Sequence, residues 1–312
     1  MPQMRYIPYA EIDKVKWDRC IQQSDNGFVY STSMYLDHMA GNWDAIVLND
    51  YEAVLPLPWR RKWGIQYVFP PSFTQQLGIT SKLVTDDEMF RQFIAAIPQK
   101  FRFIELNLNS SNKINPNGFF RRQNYLLNLA ADYNALQSNY SRSASRNLRK
   151  AKENNISVTT TVTYAEVIAL HKKRFEQGIG FTGDDYDKFS ALVEAFNKEQ
   201  SCYCIGAMNS QAELIAGSIY LIYKDRLYFV LNGNTAESFR VGATHLLMDH
   251  TIREFSGKNF VLDFEGSDHA SFARFYEQYG AQPETYYFIR LNRLPWPVSL
   301  LKRSKINPVS TR

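Results

Sequence analysis

The pattern of apolar and polar positions is clearest between residues 226 and 280. It predicts a strand, a loop, a helix, a second strand and a second helix, at residues 226–231, 232–240, 241–255, 260–264 and 270–279. The first strand ends at Asn232-Gly233-Asn234, which is a turn signal, and the helices end at Gly257 and Gly280. Two strands joined by a helix of this length predict a parallel βαβ unit.

The same reading extends over the rest of the chain. Helices are predicted at residues 9–23, 31–41, 86–99, 141–155, 164–177 and 184–197. Strands are predicted at residues 43–48, 53–59, 65–69, 101–109, 156–162, 202–208, 214–223 and 285–291, with one more inside 119–129. The pattern is interrupted at Ala130-Ala131-Asp132. We therefore expect an α/β protein with one domain over residues 1–130 and a second over 131–312.

Composition narrows the class of protein. Of 312 residues, 45% are hydrophobic, which is enough for ordinary cores, and the net charge of +5 is mild. We therefore expect no DNA partner. Three cysteines are too few for a disulfide framework, and Cys202 and Cys204 have no further ligands nearby in sequence, so we expect no metal. No segment has the apolar length of a signal peptide or a membrane span, which predicts a cytoplasmic protein.

Charge is concentrated locally. Arg60, Arg61 and Lys62 stand between two tryptophans, either as a solvated hairpin rim or as an anion contact. Arg142, Arg146 and Arg149 share one face of a predicted helix, which is either solvated or in contact with phosphates of a coenzyme, a nucleotide-linked substrate or RNA. Residues 294–305 are apolar and then basic, as in a docked or disordered terminus or a peripheral membrane contact. The three glycines in residues 178–183 predict a mobile loop that acts as a lid over a site.

Candidate acid and base groups follow the second strand of the βαβ unit, where ligands of such units bind. Strand alternation puts Asp263 and Glu265 on one face, and two adjacent carboxylates raise each other's proton affinity. Glu265 is our preferred base, acting through water, with Asp263 and His269 as alternatives. His269 is equally consistent with an exposed loop residue.

The last predicted helix carries a resemblance. Residues 273–280 read ARFYEQYG, similar to the A-x-x-x-Y-x-x-x-G-F helix of the GNAT superfamily of N-acyltransferases. Together with DFEG at 263–266, the run from Pro56 to Ile79 and the arginines that begin at Arg142, the chain resembles the FemAB-like branch. That resemblance implies two GNAT-like domains that face each other across a cleft, each a mixed central sheet flanked by helices.

The resemblance also implies roles. Tyr276 matches the tyrosine that protonates a departing thiolate in many GNAT enzymes. Backbone N–H groups near Asn232 and Gly233 would stabilise the oxyanion. The coenzyme-binding loop would comprise Asn232, Gly233, Arg240, Val241, Gly242, Ala243 and Thr244. This loop departs from the family's (Q/R)-x-x-G-x-(G/A) pattern: in one alignment only Ala243 fits, and Val241 carries a Cβ where glycine would let amides approach phosphate.

The resulting hypothesis is an N-acyltransferase that moves an acyl group from acyl-CoA to an amine on a small molecule or cell-envelope precursor. One alternative is a peptidoglycan-precursor aminoacyltransferase that uses aminoacyl-tRNA. Tyr276 stands where such enzymes commonly have lysine, which disfavours that donor. Another alternative is a degenerate GNAT-like domain that only binds an anion. The predicted substrate contacts are Arg60, Lys62, Arg142, Arg146 and Arg149.

Overall fold

The computed structural model describes residues 3–115, 119–175, 181–266 and 268–301. Its strands are β1 Met4–Ile7, β2 Trp43–Leu48, β3 Ala53–Lys62, β4 Ile65–Val68, β5 Thr80–Ser81, β6 Phe101–Asn107, β7 Phe120–Asn128, β8 Ser157–Thr159, β9 Cys202–Met208, β10 Leu214–Tyr223, β11 Arg226–Asn234, β12 Val261–Asp263 and β13 Gln282–Asn292. Its helices are α1 Lys14–Gln23, α2 Ser33–Met39, α3 Asp87–Ala96, α4 Tyr133–Ser138, α5 Arg142–Glu153, α6 Tyr164–Phe175, α7 Gly183–Lys198, α8 Ala236–Val241, α9 Ala243–Phe255, α10 Ala270–Glu277 and α11 Val298–Leu301.

The chain divides into two compact units. Unit 1 runs up to Gln123 and resumes at Thr285, and unit 2 comprises Asn124–Glu284. The residues from Thr285 onward, which include most of β13 and all of α11, therefore belong to unit 1. The sequence instead predicts a single boundary near residue 130. A compact unit and an evolutionary domain are different things, so that boundary stays a prediction. In the described ranges, no helix is long and apolar enough to cross a membrane.

The sheet of unit 1 has the order β1-β2-β3-β4-β6-β13, with β5 beside β3. Its strands pair antiparallel except for β4 and β6, which are parallel. Helix α3 begins at the Asp86 N-cap, whose side chain accepts from the Met89 amide. The helix buries Phe90 and Phe93, three residues apart, in the core cluster that contains strand residues such as Ile46 and Leu106.

The sheet of unit 2 has the order β7-β12-β11-β10-β9-β8. Strands β11 and β12 are parallel, with α8 and α9 in the connection between them, so the predicted βαβ unit is confirmed. Helix α9 buries Leu247, Met248 and Ile252 in the core of this unit, which is consistent with the helical spacing read from the sequence.

The predicted turn at residues 232–234 is wrong, because β11 continues to Asn234. Gly233 lies opposite Gly217 on β10, and α6 packs over both. A Cβ on Gly233 would lie 2.5 Å from the Val167 carbonyl oxygen, and one on Gly217 would lie 2.5 Å from the Val167 side chain. These glycines make room for a helix rather than for a turn. The predicted loop that follows contains the short helix α8.

Strand β1 and helix α4 are also absent from the sequence-based prediction. Strand β1 is only four residues long and pairs with β2. Helix α4 begins immediately after Asp132, whose side chain accepts from the Ala135 amide. The sequence treats Asp132 as an interruption, but it is the N-cap of a helix. The proposed lid falls partly on residues 178–180, which lie outside the described residues.

Candidate active site

Strands β11 and β12 separate from each other after a short paired region. They pair only from Arg226–Tyr228 to Val261–Asp263. Beyond Asp263 the chain stays beside β7, because the Phe264 amide donates to the Tyr125 carbonyl at 3.1 Å. Strand β11 continues beside β10 as far as Asn234. The ladder between the two parallel strands therefore ends at Tyr228 and Asp263. We call the region between the strands beyond that pair the gap; it lies at the carboxyl ends where ligands of such units bind.

The backbone of Asn232 and Asn234 faces the side of β11 on which the gap opens. The Thr235 amide donates to the Ile215 carbonyl on β10 at 2.9 Å. Since adjacent residues of a strand direct their N–H and C=O groups to opposite sides, Gly233 also pairs toward β10. The amides and carbonyls of Asn232 and Asn234 are directed the other way. Of the two predicted oxyanion donors, Asn232 has its amide on the open side, and Gly233 does not.

The side chains of these two asparagines tie β11 to the start of α9. The Asn232 amide nitrogen donates to Ser218 Oγ at 3.0 Å. Asn234 Oδ1 accepts from Thr244 Oγ1 at 2.7 Å and from Ser238 Oγ at 3.2 Å, and its amide nitrogen donates to Asn232 Oδ1. Thr244, predicted to bind a coenzyme, thus has its hydroxyl in this network. The network positions the first turn of α9 against the open end of β11.

Gly242 separates α8 from α9 and has φ of 79°, a conformation that favours glycine. A Cβ here would lie 2.4 Å from the Asn147 carbonyl oxygen, so α5 closes on this turn. The first intrahelical bond of α9 runs from the Leu246 amide to the Gly242 carbonyl, and the amides of residues 243–245 precede it. Val241 and Ala243 are buried and Arg240 is exposed. The segment thus offers backbone donors for phosphate rather than a row of side chains.

Asp263 is held in a buried ion pair. It is 1% exposed, its Oδ2 lies 2.9 Å from Arg226 Nη1, and its Oδ1 accepts from the Glu265 amide at 2.9 Å. Burial alone lowers the pKa of the Arg226 guanidinium, but the Asp263 carboxylate outweighs it and the pKa is raised. The predicted alternation of Asp263 and Glu265 along one strand ends here, because β12 stops at Asp263 and Glu265 has φ of 57°. Asp263 therefore positions the loop that carries Glu265.

Tyr276 packs against Phe264, the residue that precedes Glu265. Tyr276 is 8% exposed, and its ring stacks on Phe264 with centroids 4.5 Å apart and lies 5.8 Å from the ring of Tyr125. Burial is the main cause that raises the pKa of the Tyr276 phenol, and the Glu265 and Asp263 carboxylates raise it further. The phenol therefore keeps its proton at neutral pH, as a proton donor must before it acts.

His269, the other predicted base, lies at the N-terminus of α10. Its Nδ1 is 2.7 Å from Ser271 Oγ and accepts from the Ser271 amide at 3.4 Å. This geometry makes His269 the N-cap of the helix that carries Tyr276. Its predicted role as a base remains an alternative to Glu265.

A histidine that the sequence did not single out lies in the first turn of α9. His245 Nδ1 is 2.7 Å from the hydroxyl of Tyr279, and its ring packs 5.0 Å from that of Phe275. Burial lowers the pKa of His245 to about 4, so the imidazole is neutral at physiological pH. No sequence pattern connects positions 245 and 279, since they meet only where α9 packs on α10.

The predicted basic contacts lie on exposed surfaces of their units. In unit 2, the structure describes no ion pair for Arg142 or Arg146, while Arg149 is 3.6 Å from Glu153. In unit 1, the Arg60 guanidinium lies 4.2 Å from the centre of the Phe69 ring, and the Lys62 ammonium lies 4.8 Å from that of Trp63. Their role as substrate contacts stays a prediction.

Comparisons with known proteins agree with this geometry. Residues 138–274 match the family model described as an acetyltransferase (GNAT) domain. The fold is similar to that of FemX, at 12% identity over 93% of this chain and 98% of FemX, with a TM-score of 0.62. It is also similar to a tandem GNAT protein from the clavulanic acid biosynthesis pathway, at 11% identity over 94% and 99% of the two chains, with a TM-score of 0.53.

L-PGS from Bacillus licheniformis is a third structural neighbour, at 10% identity over 93% of this chain and 95% of its own, with a TM-score of 0.50. No curated protein matches the chain in sequence. At these identities the solved structures establish the fold alone. The family model and the fold together confirm the predicted resemblance: residues 138–274 match the acetyltransferase (GNAT) domain model, and the chain has a GNAT-like fold that it shares with FemX and the tandem GNAT protein.

Proposed function

We propose that the protein is an N-acyltransferase that transfers an acyl group to the amine of a small molecule or envelope precursor. The observation that carries the proposal is the gap between β11 and β12. Backbone groups of Asn232 and Asn234 face it from one strand, and the other strand leads directly to Glu265. An acyl group placed there lies beside a hydrogen-bond donor and near a carboxylate and a phenol.

Each group has a role in the transfer. The amine attacks the acyl carbon, a C–N bond forms and the bond to the donor's leaving group breaks. Glu265 takes the proton from the amine through water, and the Asn232 amide stabilises the oxyanion that develops on the carbonyl. Tyr276 protonates the leaving group. Asp263 orients the Glu265 loop through its pair with Arg226.

Acyl-CoA is the donor we favour. The first-turn amides of α9 precede its first intrahelical bond, and a helix N-terminus attracts phosphate. Val241 is part of the hydrophobic core, so the Cβ that is unusual for the family is packed into the unit. The backbone amides in the first turn of α9 therefore suit a pyrophosphate group.

Aminoacyl-tRNA is the second candidate donor. The observation that favours it is the exposed basic face of α5, which carries Arg142 and Arg146, on a helix whose Asn147 contacts the turn at Gly242. A polyanion can lie along such a face. Simple binding of an anion, without transfer, is the third alternative.

Thermal stability with acetyl-CoA, longer acyl-CoAs and charged tRNA identifies the donor, because a ligand that binds only the native state raises the melting temperature. With the donor known, Glu265→Gln and Tyr276→Phe should each lower kcat by roughly 10²-fold or more. Tyr186→Phe is the matched control, since this tyrosine contacts His171 between α6 and α7. Activity that survives both changes would show that the proposed acid and base are wrong, and binding without turnover would favour the anion-binding alternative.

A further inference from the structure

Three segments of unit 1 meet at one end of its sheet. The β3–β4 hairpin turns between Lys62 and Ile65, and β4 runs parallel to β6 with Gln66 opposite Phe101. Strand β13 runs antiparallel to β6, and the Arg293 amide donates to the Arg102 carbonyl at 2.8 Å. The hairpin tip (60–65), the approach to β6 (98–102) and the exit from β13 (292–298) therefore share this end. We call these three segments the basic edge.

The basic edge holds the two most exposed tryptophans of the described chain. Trp63 is 89% exposed and Trp296 is 80% exposed, whereas Trp17 and Trp43 are fully buried. Trp63 and Gly64 both have positive φ, as in the two-residue turns that favour Asn-Gly. A bulky aromatic residue there satisfies no preference of the turn and contributes little to a core. The presence of Trp63 and Trp296 together on one edge indicates a contact outside the folded chain.

The charged residues of the basic edge are all positive. Its three segments contain six basic residues and no acidic residue: Arg60, Arg61, Lys62, Lys100, Arg102 and Arg293. Lys100 lies 3.6 Å from the buried Asp44, and Arg293 donates to the Ile97 carbonyl at 3.1 Å. Arg61 and Arg102 are exposed.

We propose that the basic edge docks on the surface of an anionic phospholipid bilayer. Tryptophan concentrates at the headgroup level, and lysine and arginine are attracted to anionic headgroups. The exposed tryptophans are carried by a hairpin between β3 and β4 and by the segment after β13. Strands β4 and β13 flank β6, so these carriers are separated by about two strand spacings, or about 10 Å. This distance between the segments that carry the two tryptophans is larger than the distance between neighbouring stacked bases of RNA. A flat surface therefore fits the two tryptophans better than a single RNA strand does. The surface lies in unit 1 and does not depend on the proposed acyl transfer.

Co-sedimentation of the full chain with vesicles tests this proposal. Vesicles of equal parts phosphatidylglycerol and phosphatidylcholine should bind the protein, and vesicles of phosphatidylcholine alone should bind it several-fold less. Trp63→Ala and Trp296→Ala should each reduce binding several-fold, and the double variant should reach the vesicle-free background. The double replacement of Arg61→Gln and Lys62→Gln should reduce the salt-sensitive component of vesicle binding.

Matched controls come from the opposite end of the same sheet, where Lys16 of α1 pairs with Asp50 of the β2–β3 turn. Val15→Ala, at an apolar side chain that is 69% exposed, and Arg19→Gln should bind as the parent does. Tryptophan fluorescence is a second readout, since Trp63 and Trp296 should shift to the blue on anionic vesicles while buried Trp17 and Trp43 stay constant. Thermal melts verify that each variant is folded.

Three outcomes overturn the proposal. The parent fails to bind anionic vesicles, or it binds both vesicle types equally, or the folded double tryptophan variant binds as the parent does. If the variants lose affinity for tRNA while vesicle binding is unchanged, the basic edge is a nucleic-acid surface instead.

Discussion

Gly233 illustrates how a single position can be misread from sequence and understood from packing. In the sequence, Asn232-Gly233-Asn234 has the composition of a turn. In the structure the glycine is inside β11, and the backbone of α6 occupies the space where a side chain would lie. Local preference is weak compared with the packing of a helix on a sheet, so the tertiary contact determines the conformation.

Replacing Gly233 by alanine tests this explanation. The added Cβ would lie 2.5 Å from the Val167 carbonyl oxygen, so α6 must shift, and the free energy of unfolding should fall by about 1–3 kcal/mol, as for other overpacked cores. Urea denaturation measures the change. Gly183→Ala is the control, because a Cβ there has nothing within 4 Å, and its stability should be unchanged or slightly higher. Equal losses in both variants would contradict the packing explanation.

The proposed active-site residues also show what local patterns can and cannot reveal. The helical spacing and the ARFYEQYG run were sufficient to select Tyr276. The ion pair of Asp263 with Arg226 was not predictable in the same way, because it depends on the register between β12 and β11. That pair is the reason for proposing Asp263 as a positioning residue, and its predicted role as an alternative base stays a prediction.

At the scale of elements, α5 is amphipathic in a way that the sequence predicts well. Ala144, Leu148 and Ala151 are buried, and Arg142 and Arg146 are on the exposed side. The structure adds that α5 packs against the Gly242 turn, which the sequence does not connect with it. The exposed arginines are therefore on a helix that contacts the proposed donor site through Asn147 and that is held in place by its apolar face.

Removing the two arginines tests whether α5 binds the donor. If tRNA is the donor, Arg142→Gln with Arg146→Gln should weaken binding and reduce the slope of log affinity against log salt by roughly one to two units. Arg149→Gln should have a smaller effect because Arg149 already pairs with Glu153. Titrations at several salt concentrations measure the slope. If replacing Arg149 reduces the affinity for tRNA as much as replacing Arg142 and Arg146 does, the effect comes from the overall charge and not from a specific site.

For the whole molecule, one buried histidine, His171, and one half-buried histidine, His245, predict how stability depends on pH. Burial lowers the pKa of His171 to about 4, with Arg174 as a second cause, and burial lowers the pKa of His245 to about 4. In the unfolded chain an imidazole has a pKa of about 6.5. Between these values the unfolded state binds protons that the folded state does not, so stability falls as the pH decreases from about 6.5 to about 4.

The expected loss is at most on the order of 3 kcal/mol for each histidine, and less where the ring is partly exposed. Urea denaturation at about pH 7 and about pH 4.5 measures it, and groups common to both proteins cancel when a variant is compared with its parent. His245→Asn retains an oxygen that can accept from Tyr279, and it should reduce the difference between the two pH values. An unchanged difference in this variant would mean that His245 does not contribute.

The sequence alone determined the boundaries of elements with strong local patterns. Strands β2, β9 and β10 begin and end where the apolar runs and flanking turn residues predict, and the parallel unit around α9 follows from hydrophobic periodicity. The separation of β11 from β12, the burial of Gly233 beneath α6 and the contact of His245 with Tyr279 depend instead on tertiary packing. The physical reason is distance along the chain: periodicity and capping act over a few residues, whereas these features depend on which distant segments pack together.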